Sequence, residues 1–211
     1  MRTARREPSK DAIVLGVLDA VERNPSVTQR SVARELGIAL GLVNAHLNRC
    51  LSKGLIKIGQ VPPRRYAYYL TRRGMTERSR LTTTYLMDSF AFFREARLQC
   101  SELFQGLVAR GQCRLMLVGG GDLAEIARLV ARDYLLEIVG IAPAGVDPVG
   151  LSASLKEFGS FDAIVVTTLE QSRQAFAAAI ELLGAERVYA PALLRVPWPA
   201  SAPAGGRGNE R

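Results

Sequence analysis

The chain has 211 residues, of which 48% are hydrophobic and 23% charged, so it can bury the core of one or two domains and is not an intrinsically disordered chain. It contains no run of about 18 uncharged apolar residues, and no apolar segment follows the basic start MRTARREPSK. We therefore expect neither a membrane span nor a signal peptide, and we expect a cytoplasmic location. The net charge of +8 is uneven: residues 1–80 carry 16 Lys and Arg against 6 Asp and Glu, or +10, whereas residues 81–211 carry 12 against 14, or −2. Such an asymmetry is typical of a protein in which one domain binds a polyanion.

Cysteine and histidine usage gives no indication of a metal site. The three cysteines, Cys50, Cys100 and Cys113, are far apart and form no CxxC pair, which disfavours a disulfide framework and a zinc site. We therefore expect no metal and three buried structural thiols. The only histidine, His46, falls beside an apolar stripe, so we expect it to pack rather than to act as a ligand or a base.

Apolar spacing in the first 54 residues predicts three helices. The first spans about residues 9–23 and ends before an Asn-Pro pair. Thr28 is a suitable N-cap for a second helix, which Gly37 ends, and a third spans about residues 40–53. The apolar stripe of the third helix consists of Leu40, Val43, Leu47, Cys50 and Leu51.

Two short predicted strands, LIKIGQ and YAYYLT, follow the three helices. The tip between them, VPPRR, contains two prolines that prevent strand pairing, and two arginines. Helix, helix, turn, helix and β-hairpin in this order are the parts of a winged helix-turn-helix. We therefore assign residues 1–71 to a DNA-binding domain of this type.

Residues 72–112 form a mostly helical stretch with abundant apolar surface. We interpret this stretch as a linking and dimerisation helix, because regulators of palindromic DNA sites usually pair through such a helix. The alternative is that it packs on the C-terminal domain of its own chain. Its large apolar side chains are Leu81, Tyr85, Met87, Phe90, Phe93, Leu98, Leu103, Phe104 and Leu107.

From Arg114 onwards, short apolar runs such as LMLVGGG and DAIVVTT alternate with helical segments. The alternation predicts a Rossmann-like parallel sheet with helices on its faces over residues 113–196. Residues 197–211, rich in Pro, Ala and Gly, are predicted to be a disordered tail. The chain is thus predicted to be a two-domain α/β protein: an N-terminal winged helix-turn-helix, a long linking helix and a C-terminal Rossmann-like sheet.

The third helix would lie in the major groove of double-stranded DNA, and its residues opposite the apolar stripe would meet base edges. Asn48 can pair with adenine and Arg49 with guanine, while Leu42 and Ala45 can contact thymine methyl groups. The candidate base-reading residues are Gly41, Leu42, Ala45, Asn48, Arg49 and Ser52.

Polar and basic residues around this helix are candidate phosphate contacts. Gln29 and Arg30 stand at the N-terminus of the second helix, where the helix dipole favours an anion. Further arginines lie at the wing tip and in a basic arm at the start of the chain. For each single arginine, a solvated surface charge is the alternative. These residues are Arg64 and Arg65 at the tip and Arg2, Arg5 and Arg6 in the arm.

The segment NPSVTQRSVARELGIALGLVNAHLNRCLSKGLIKIGQ, followed by YAYYLTRRGMTERSRLTTTYL, resembles the MarR-like winged-helix regulators associated with exopolysaccharide biosynthesis. The likeness covers about residues 12–87 and includes a TQR helix start, an ELG turn and a KGLIK entry to the wing. It departs at Ala39, where the family usually has a polar cap. The resemblance implies a transcription regulator of a surface-polysaccharide gene cluster. The homodimer is predicted separately, from the apolar surface of the linking helix.

The sequence GGGDLA after the first predicted strand of the second domain fits the G-x-G-x-x-A pattern that cradles a phosphate at a helix N-terminus. Asp122 would repel a pyrophosphate unless it serves as the helix N-cap. The second strand ends in GIAPAG, without the acidic residue that holds the ribose of NAD. The candidate ligand residues are Gly119, Gly120, Gly121, Asp122, Leu123, Thr167 and Thr168.

The segments LVGGGDLAEIA and GIAP resemble, over about residues 114–190, the N-terminal domain of nucleotide-sugar acyltransferases and, more loosely, CoA-binding domains. This resemblance implies a small-molecule effector, with a nucleotide-sugar or another nucleotide as candidate and its identity open. A purely structural or dimerising domain is the alternative. The architecture is also similar to Rex-type NAD(H)-responsive redox repressors, although the acidic anchor is missing. An enzyme acting on nucleotide-sugars is disfavoured, because Thr167, Thr168 and Cys113 have no evident base beside them.

Overall fold

The computed structural model describes residues 9–61, 65–144 and 148–197, with the backbone alone for Gln60, Val61, Arg65 and Tyr66. The chain is divided into two compact units, the first unit, Met1–Phe90, and the second unit, Ala91–Arg211. The predicted fold class is confirmed: three helices and a β-hairpin, a long helix, and a parallel four-stranded sheet with helices follow one another along the chain.

The first unit begins with three helices, α1 (Lys10–Arg23), α2 (Gln29–Leu36) and α3 (Leu40–Ser52). Both predicted boundaries of α2 are confirmed. The Thr28 hydroxyl accepts the amide of Ser31 at 3.1 Å in a capping box, and Gly37 ends the helix at φ 66°, a conformation that favours glycine.

The two strands of the first unit, β1 (Ile56–Val61) and β2 (Arg65–Leu70), pair antiparallel with Ile56 opposite Leu70. The wing tip between them, residues 62–64, lies outside the described residues. The core of the first unit joins all three helices and the start of β1 through buried side chains. These include Ile13, Val17, Leu18, Val21, Val32, Val43, Leu47, Cys50, Leu55 and Ile56.

One member of the predicted α3 stripe lies outside this core. Leu40 is 46% exposed, whereas Val43 and Leu47, on the same side of the helix, are buried. Leu40 is the first residue of α3, one turn short of the layer that contains Val43. Periodicity assigns a residue to a face of a helix but does not show where along the helix the core begins.

Helix α4 (Arg72–Ala109) is continuous over 38 residues. Near its start, Leu81 packs in the core of the first unit. Near its end, the helix contributes Ala96, Cys100, Phe104 and Leu107 to the core of the second unit. Between these buried positions, residues 83–91 are exposed on every side of the helix.

The second unit contains a parallel sheet in the order β4-β3-β5-β6. Its strands are β3 (Arg114–Val118), β4 (Glu137–Ala142), β5 (Ala163–Val166) and β6 (Val188–Tyr189). Because the chain moves from β3 to β4 on one side and then to β5 on the other, the carboxyl ends of β3 and β5 form the topological switch point of the sheet. The helices of the unit are α5 (Asp122–Asp133), α6 (Pro148–Leu155) and α7 (Ser172–Leu183), with 3-10 turns at Ala185–Arg187 and Ala192–Leu194.

The two central strands are buried on both faces, as expected for a parallel sheet covered by helices. Asp162, just before β5, joins them at their amino ends, because one carboxylate oxygen accepts the amides of Cys113 at 2.9 Å and Arg114 at 2.8 Å. Phe176 of α7 and Leu123 of α5 are among the largest buried side chains.

The expectation of three buried thiols is wrong for one of them. Cys50 and Cys100 are buried, and burial raises the pKa of Cys100 to about 12. Cys113 is exposed, because it lies in the connection that leads into β3, ahead of the strand's buried residues. None of the helices in the described ranges is long and apolar enough to span a membrane.

Candidate nucleic-acid interface

Helix α3 has one face in the core and one face in solvent. Val43, Leu47 and Cys50 are buried, and contacts with α1 and α2 hold this side of the helix. The opposite side presents the residues that the sequence assigns to base reading. Gly41, Leu42, Ala45, Asn48, Arg49 and Ser52 are exposed or largely so.

The exposed face of α3 also contains a residue that sequence reasoning missed. The side-chain oxygen of Asn44 accepts two hydrogen bonds, from Nε2 of Gln29 at 3.2 Å and from Nδ2 of Asn48 at 3.2 Å. This amide network joins the first residue of α2 to the middle of α3. The one available sequence signal was the spacing of Asn44 and Asn48, four residues apart on a helix.

The start of α3 has no polar cap. Ala39 is its N-cap residue and makes no side-chain hydrogen bond, so the amides of the first turn receive no bond from the cap side chain. The first turn, with Leu40, Gly41 and Leu42, is accordingly an exposed and mostly apolar surface.

Positive charge around α3 has no acidic neighbour on its own element. Neither α3 nor β1 contains Asp or Glu, while Arg49 on α3, Lys53 at the C-cap of α3 and Lys57 on β1 are exposed. Three of the four acidic groups of α1 and α2 form ion pairs with other residues: Arg23 pairs with Glu35, and Arg78 pairs with Asp19 at 2.5 Å and Glu22 at 2.8 Å. No ion pair is formed in the described part of the chain by Arg30, Arg34, Arg49, Lys53 or Lys57.

Arg34, Lys53 and Lys57 join Arg30 as candidate phosphate contacts. The sequence alone did not single them out, because a single Lys or Arg in a sequence cannot be told from an ordinary solvated charge. Arg65 opens β2, and only its backbone is described, opposite Val61. Arg2, Arg5, Arg6 and Arg64 lie outside the described residues.

His46 packs on the inner side of α3, as expected, and is 7% exposed. Its Nδ1 atom has no hydrogen-bond partner among the residues that the structure describes. Burial lowers the pKa of the imidazole, and the positive charges of Arg49 and Lys10 lower it further. A neutral imidazole is therefore part of the folded domain, with no role on the exposed face.

In the second unit, Gly119, Thr167 and Thr168 meet at the carboxyl ends of β3 and β5. A Cβ atom on Gly119, which has φ 98°, would lie 2.5 Å from Cβ of Thr168. The hydroxyl of Thr167 donates to the carbonyls of Val118, at 3.3 Å, and Gly119, and that of Thr168 donates to the carbonyl of Glu170 at 2.7 Å. These three residues therefore pack against one another and hold the strand ends together.

The other glycines of the loop are open to solvent. Gly120 and Gly121 are exposed, and an added Cβ at either would meet nothing within 4 Å. Gly121 is the N-cap of α5, so the idea that Asp122 caps this helix is wrong; Asp122 is instead the first helical residue. Leu123 is 1% exposed in the core, so its side chain does not face this loop.

The first turn of α5 combines free amides with negative charge. Its N-cap makes no side-chain hydrogen bond, which leaves backbone donors available, but Asp122 and Glu125 both stand in this turn. The two carboxylates neutralise the positive end of the helix dipole. In the described ranges, no three His, Cys, Asp or Glu side chains come together in a way that could hold a metal ion.

Comparison with known proteins identifies the domain that carries α3. Residues 10–57 match the family model of winged helix-turn-helix DNA-binding domains. The match spans α1, α2 and α3 and reaches the start of β1. The first unit therefore contains a DNA-binding winged helix-turn-helix, and the Gln29–Asn44–Asn48 network and Arg49 lie inside the matched segment.

Two solved structures show weaker likeness over larger parts of the chain. The PcaV transcriptional regulator from Streptomyces coelicolor, in complex with its natural ligand, is 23% identical, with 42% of this chain and 63% of that chain covered and a TM-score of 0.36. PigF with SAH is 14% identical, with 86% of this chain and 70% of that one covered and a TM-score of 0.25. The match thus covers less than two thirds of the PcaV chain. No curated protein matches the chain.

Proposed function

We propose that this protein is a sequence-specific transcription regulator that acts on double-stranded DNA in the cytoplasm as a homodimer. The observation that carries the proposal is the exposed face of α3, which presents amide and guanidinium groups in a domain that matches DNA-binding winged helices. No acidic side chain stands on α3 or β1 to compete with phosphate. The positive surface therefore fits a polyanion.

In this proposal α3 enters the major groove. Asn48 pairs with adenine and Arg49 with guanine, while Leu42 and Ala45 contact thymine methyl groups and Gly41 allows close approach. The remaining contacts position the domain on the phosphates. They are Gln29, Arg30 and Arg34 on α2, Lys53 and Lys57 beside α3, Arg64 and Arg65 on the wing, and Arg5 and Arg6 in the arm.

The homodimer is supported by the exposed part of α4. Between residues 83 and 93, Tyr85, Leu86, Met87, Phe90 and Phe93 are 60%, 46%, 62%, 56% and 41% exposed. At about 200 Å² for a large side chain, this corresponds to roughly 500 Å² of apolar surface in each protomer. Complete coverage of this surface in a symmetric pair would bury about 1,000 Å², which is the lower bound for a specific interface.

Low charge in the same segment favours a second copy as its partner. From Leu81 to Phe93 the sequence is LTTTYLMDSFAFF, with Asp88 as its single charged residue, whereas Arg80 and Arg94 flank it. Interface cores are depleted in charge and enriched in aromatic residues and Met. A two-fold pair through one helix also presents two recognition helices, as a palindromic site requires.

The regulated genes are proposed from the sequence resemblance alone. The likeness of residues 12–87 to MarR-like regulators associated with exopolysaccharide biosynthesis supports a surface-polysaccharide gene cluster as the target. The missing cap at Ala39 affects the start of the recognition helix. We therefore expect the preferred DNA sequence to differ from that of relatives with a polar residue at this position.

For the second unit we propose that it senses a nucleotide-type ligand, such as a nucleotide-sugar. The open space at Gly120 and Gly121, beside the switch point of the sheet, supports this proposal. The carboxylates of Asp122 and Glu125 disfavour a bare pyrophosphate at the helix start, so we expect contacts from the loop amides. Titration with a UDP-sugar and with NADH, read as altered DNA affinity, separates this sensor from a Rex-like repressor.

The proposal is tested by salt-dependent binding of the purified protein to DNA from its own upstream region. We expect binding that resists unrelated competitor duplex and weakens steeply with salt, because counterions are released from phosphates. Equal affinity for specific and unrelated duplexes at every salt concentration would reject sequence-specific regulation. Turnover of a nucleotide-sugar in the same preparation would instead support the enzyme alternative.

A further inference from the structure

We propose that Asn44 is a positioning residue for base recognition: it fixes the amide orientations of Gln29 and Asn48 on the DNA-facing surface. This inference rests on the proposed function, because it assumes that the exposed face of α3 reads DNA. Asn44 would then be a further determinant of specificity, since it belongs neither to the apolar stripe of α3 nor to the residues predicted to read bases.

The geometry of the amide network supports this role. One acceptor, Oδ1 of Asn44, receives Nε2 of Gln29 at 3.2 Å and Nδ2 of Asn48 at 3.2 Å. Each neighbouring amide thus has its nitrogen turned towards Asn44 and its oxygen turned away. An amide nitrogen has two hydrogens, so among the residues that the structure describes each neighbour keeps one donor and its acceptor free. Within the same residues, neither N–H group of the Asn44 side chain donates a hydrogen bond.

A fixed amide orientation matters for base recognition because an unrestrained Asn can turn its oxygen and nitrogen in either direction. Adenine offers a donor, N6, beside an acceptor, N7, whereas guanine offers two acceptors, O6 and N7. Asn48 held with its oxygen outward can accept from N6 of adenine and donate its second hydrogen to N7. An unrestrained amide loses side-chain entropy when it is ordered on binding, and it can more readily present its nitrogen to guanine.

The surroundings make Asn44 the suitable centre of the network. It is exposed and stands at the edge of the outward face of α3, next to α2, while Val43 and Leu47 on the other side are buried. Removing its side chain therefore opens no cavity in the core. The elements that it joins are already held together by the core of the first unit.

The experiment measures the DNA affinity of four proteins: wild type, Asn44→Ala, Asn48→Ala and the double variant. Each protein is tested on randomised duplexes, on the preferred duplex, and on the preferred duplex with its contacted adenine replaced by guanine. We expect Asn44→Ala to reduce the preference for adenine about tenfold with an unchanged melting temperature. In the Asn48→Ala background, the same change should alter this preference less than twofold, because Asn44 acts through Asn48. Asn44→Asp, which keeps an acceptor, should restore the preference while weakening binding to all duplexes through its added negative charge.

Other outcomes overturn the inference in distinguishable ways. Equal loss of affinity on all duplexes for Asn44→Ala would make Asn44 a general contact, and an undiminished effect in the Asn48→Ala background would make it a direct base contact. Unchanged preference in Asn44→Ala would show that the network does not position Asn48. A wild-type protein without any preferred duplex would reject the proposed function, and the inference with it.

Discussion

Gly74, in the first turn of α4, approaches the backbone of Leu55 so closely that an added Cβ atom would lie 2.0 Å from the Leu55 carbonyl oxygen. The same carbonyl accepts the amide of Thr71 at 3.0 Å, and the hydroxyl of Thr71 donates to the carbonyl of Gly54 at 2.7 Å. The amide of Gly74 in turn donates to the Thr71 hydroxyl at 3.0 Å. Thus the start of β1 and the start of α4 are joined within the first unit.

Gly74→Ala should destabilise the first unit, although alanine normally favours a helix. The new methyl group would meet backbone rather than a movable side chain, so we expect a cost of about 1–3 kcal/mol from the forced shift. Gly41→Ala is the matched control, because an added Cβ atom at Gly41 would meet nothing within 4 Å. This variant should stabilise α3 by about 0.5–1 kcal/mol, because alanine favours a helix more than glycine does. Urea unfolding followed by circular dichroism measures both changes, and equal stabilisation by the two variants would contradict the packing at Leu55.

Arg49 and Lys57 should contribute to DNA binding in different ways. Arg49→Ala removes a proposed guanine contact and should cost about 1–3 kcal/mol on the preferred duplex, with relaxed preference at one base position. Lys57→Ala removes a proposed phosphate contact, so affinity should fall on all duplexes and the slope of log affinity against log salt should decrease by about 1. Anisotropy titrations at several salt concentrations distinguish the two patterns. Equal losses on specific and random DNA for Arg49→Ala would remove Arg49 from the base-reading residues.

His46 should make the stability of the first unit dependent on pH. Because burial and the charges of Arg49 and Lys10 lower the pKa of the folded imidazole, the unfolded chain binds the proton more tightly. Stability is then fully present above the ordinary histidine pKa of about 6.5 and decreases as the pH falls below it. His46→Leu, which cannot titrate, should lose less stability than wild type between about pH 7.5 and 5. Thermal unfolding of both proteins across this range measures the difference, and parallel curves would contradict the prediction.

Phe90→Asp should disrupt the proposed homodimer. A second carboxylate close to Asp88, in the apolar segment of α4, would have to be desolvated on association. Leu129→Asp is the control, because Leu129 is 53% exposed on α5, outside that segment. Sedimentation velocity should show a monomer for Phe90→Asp and a dimer for wild type and the control. A dimeric Phe90→Asp protein would place the interface elsewhere.

Two neighbouring glycines should separate folding from ligand binding in the second unit. Gly119→Ala combines a backbone at φ 98° with a 2.5 Å approach to Thr168 and should destabilise the unit. Gly120→Ala meets nothing and should leave the melting temperature unchanged while weakening any nucleotide-sugar that binds the loop. Thermal unfolding with and without UDP-sugar tests both variants. Identical ligand-induced shifts in wild type and Gly120→Ala would remove this loop as the site.

Local sequence signals predicted the elements of the first unit well. The cap at Thr28, the end of α2 at Gly37 and the buried positions Val43 and Leu47 follow from hydrogen-bonding chemistry and helical periodicity, which depend on neighbouring residues. The alternation of strands and helices after Arg114 likewise predicted a parallel sheet. These signals are local, so one sequence is enough to detect them.

Features that depend on contacts between distant residues could not be predicted in the same way. Gln29 and Asn44 are 15 positions apart, and no periodicity connects an exposed amide to another helix. The glycine motif predicted that Gly119 contacts a ligand. In the structure, the space that a side chain of Gly119 would need is occupied by Thr168, which is distant in the sequence. The exposure of Leu40 and Cys113 also depends on where each packed layer begins.

The exposed face of α3 contributes none of the buried side chains that hold the first unit together. Gly41, Leu42, Ala45, Asn48 and Arg49 can therefore be exchanged during evolution without rebuilding the interior. After gene duplication, a copy of this regulator could acquire a new DNA target through a few surface substitutions while its domain stays folded. The requirement to keep Asn44 compatible with its two amide neighbours would be the main restriction on such divergence.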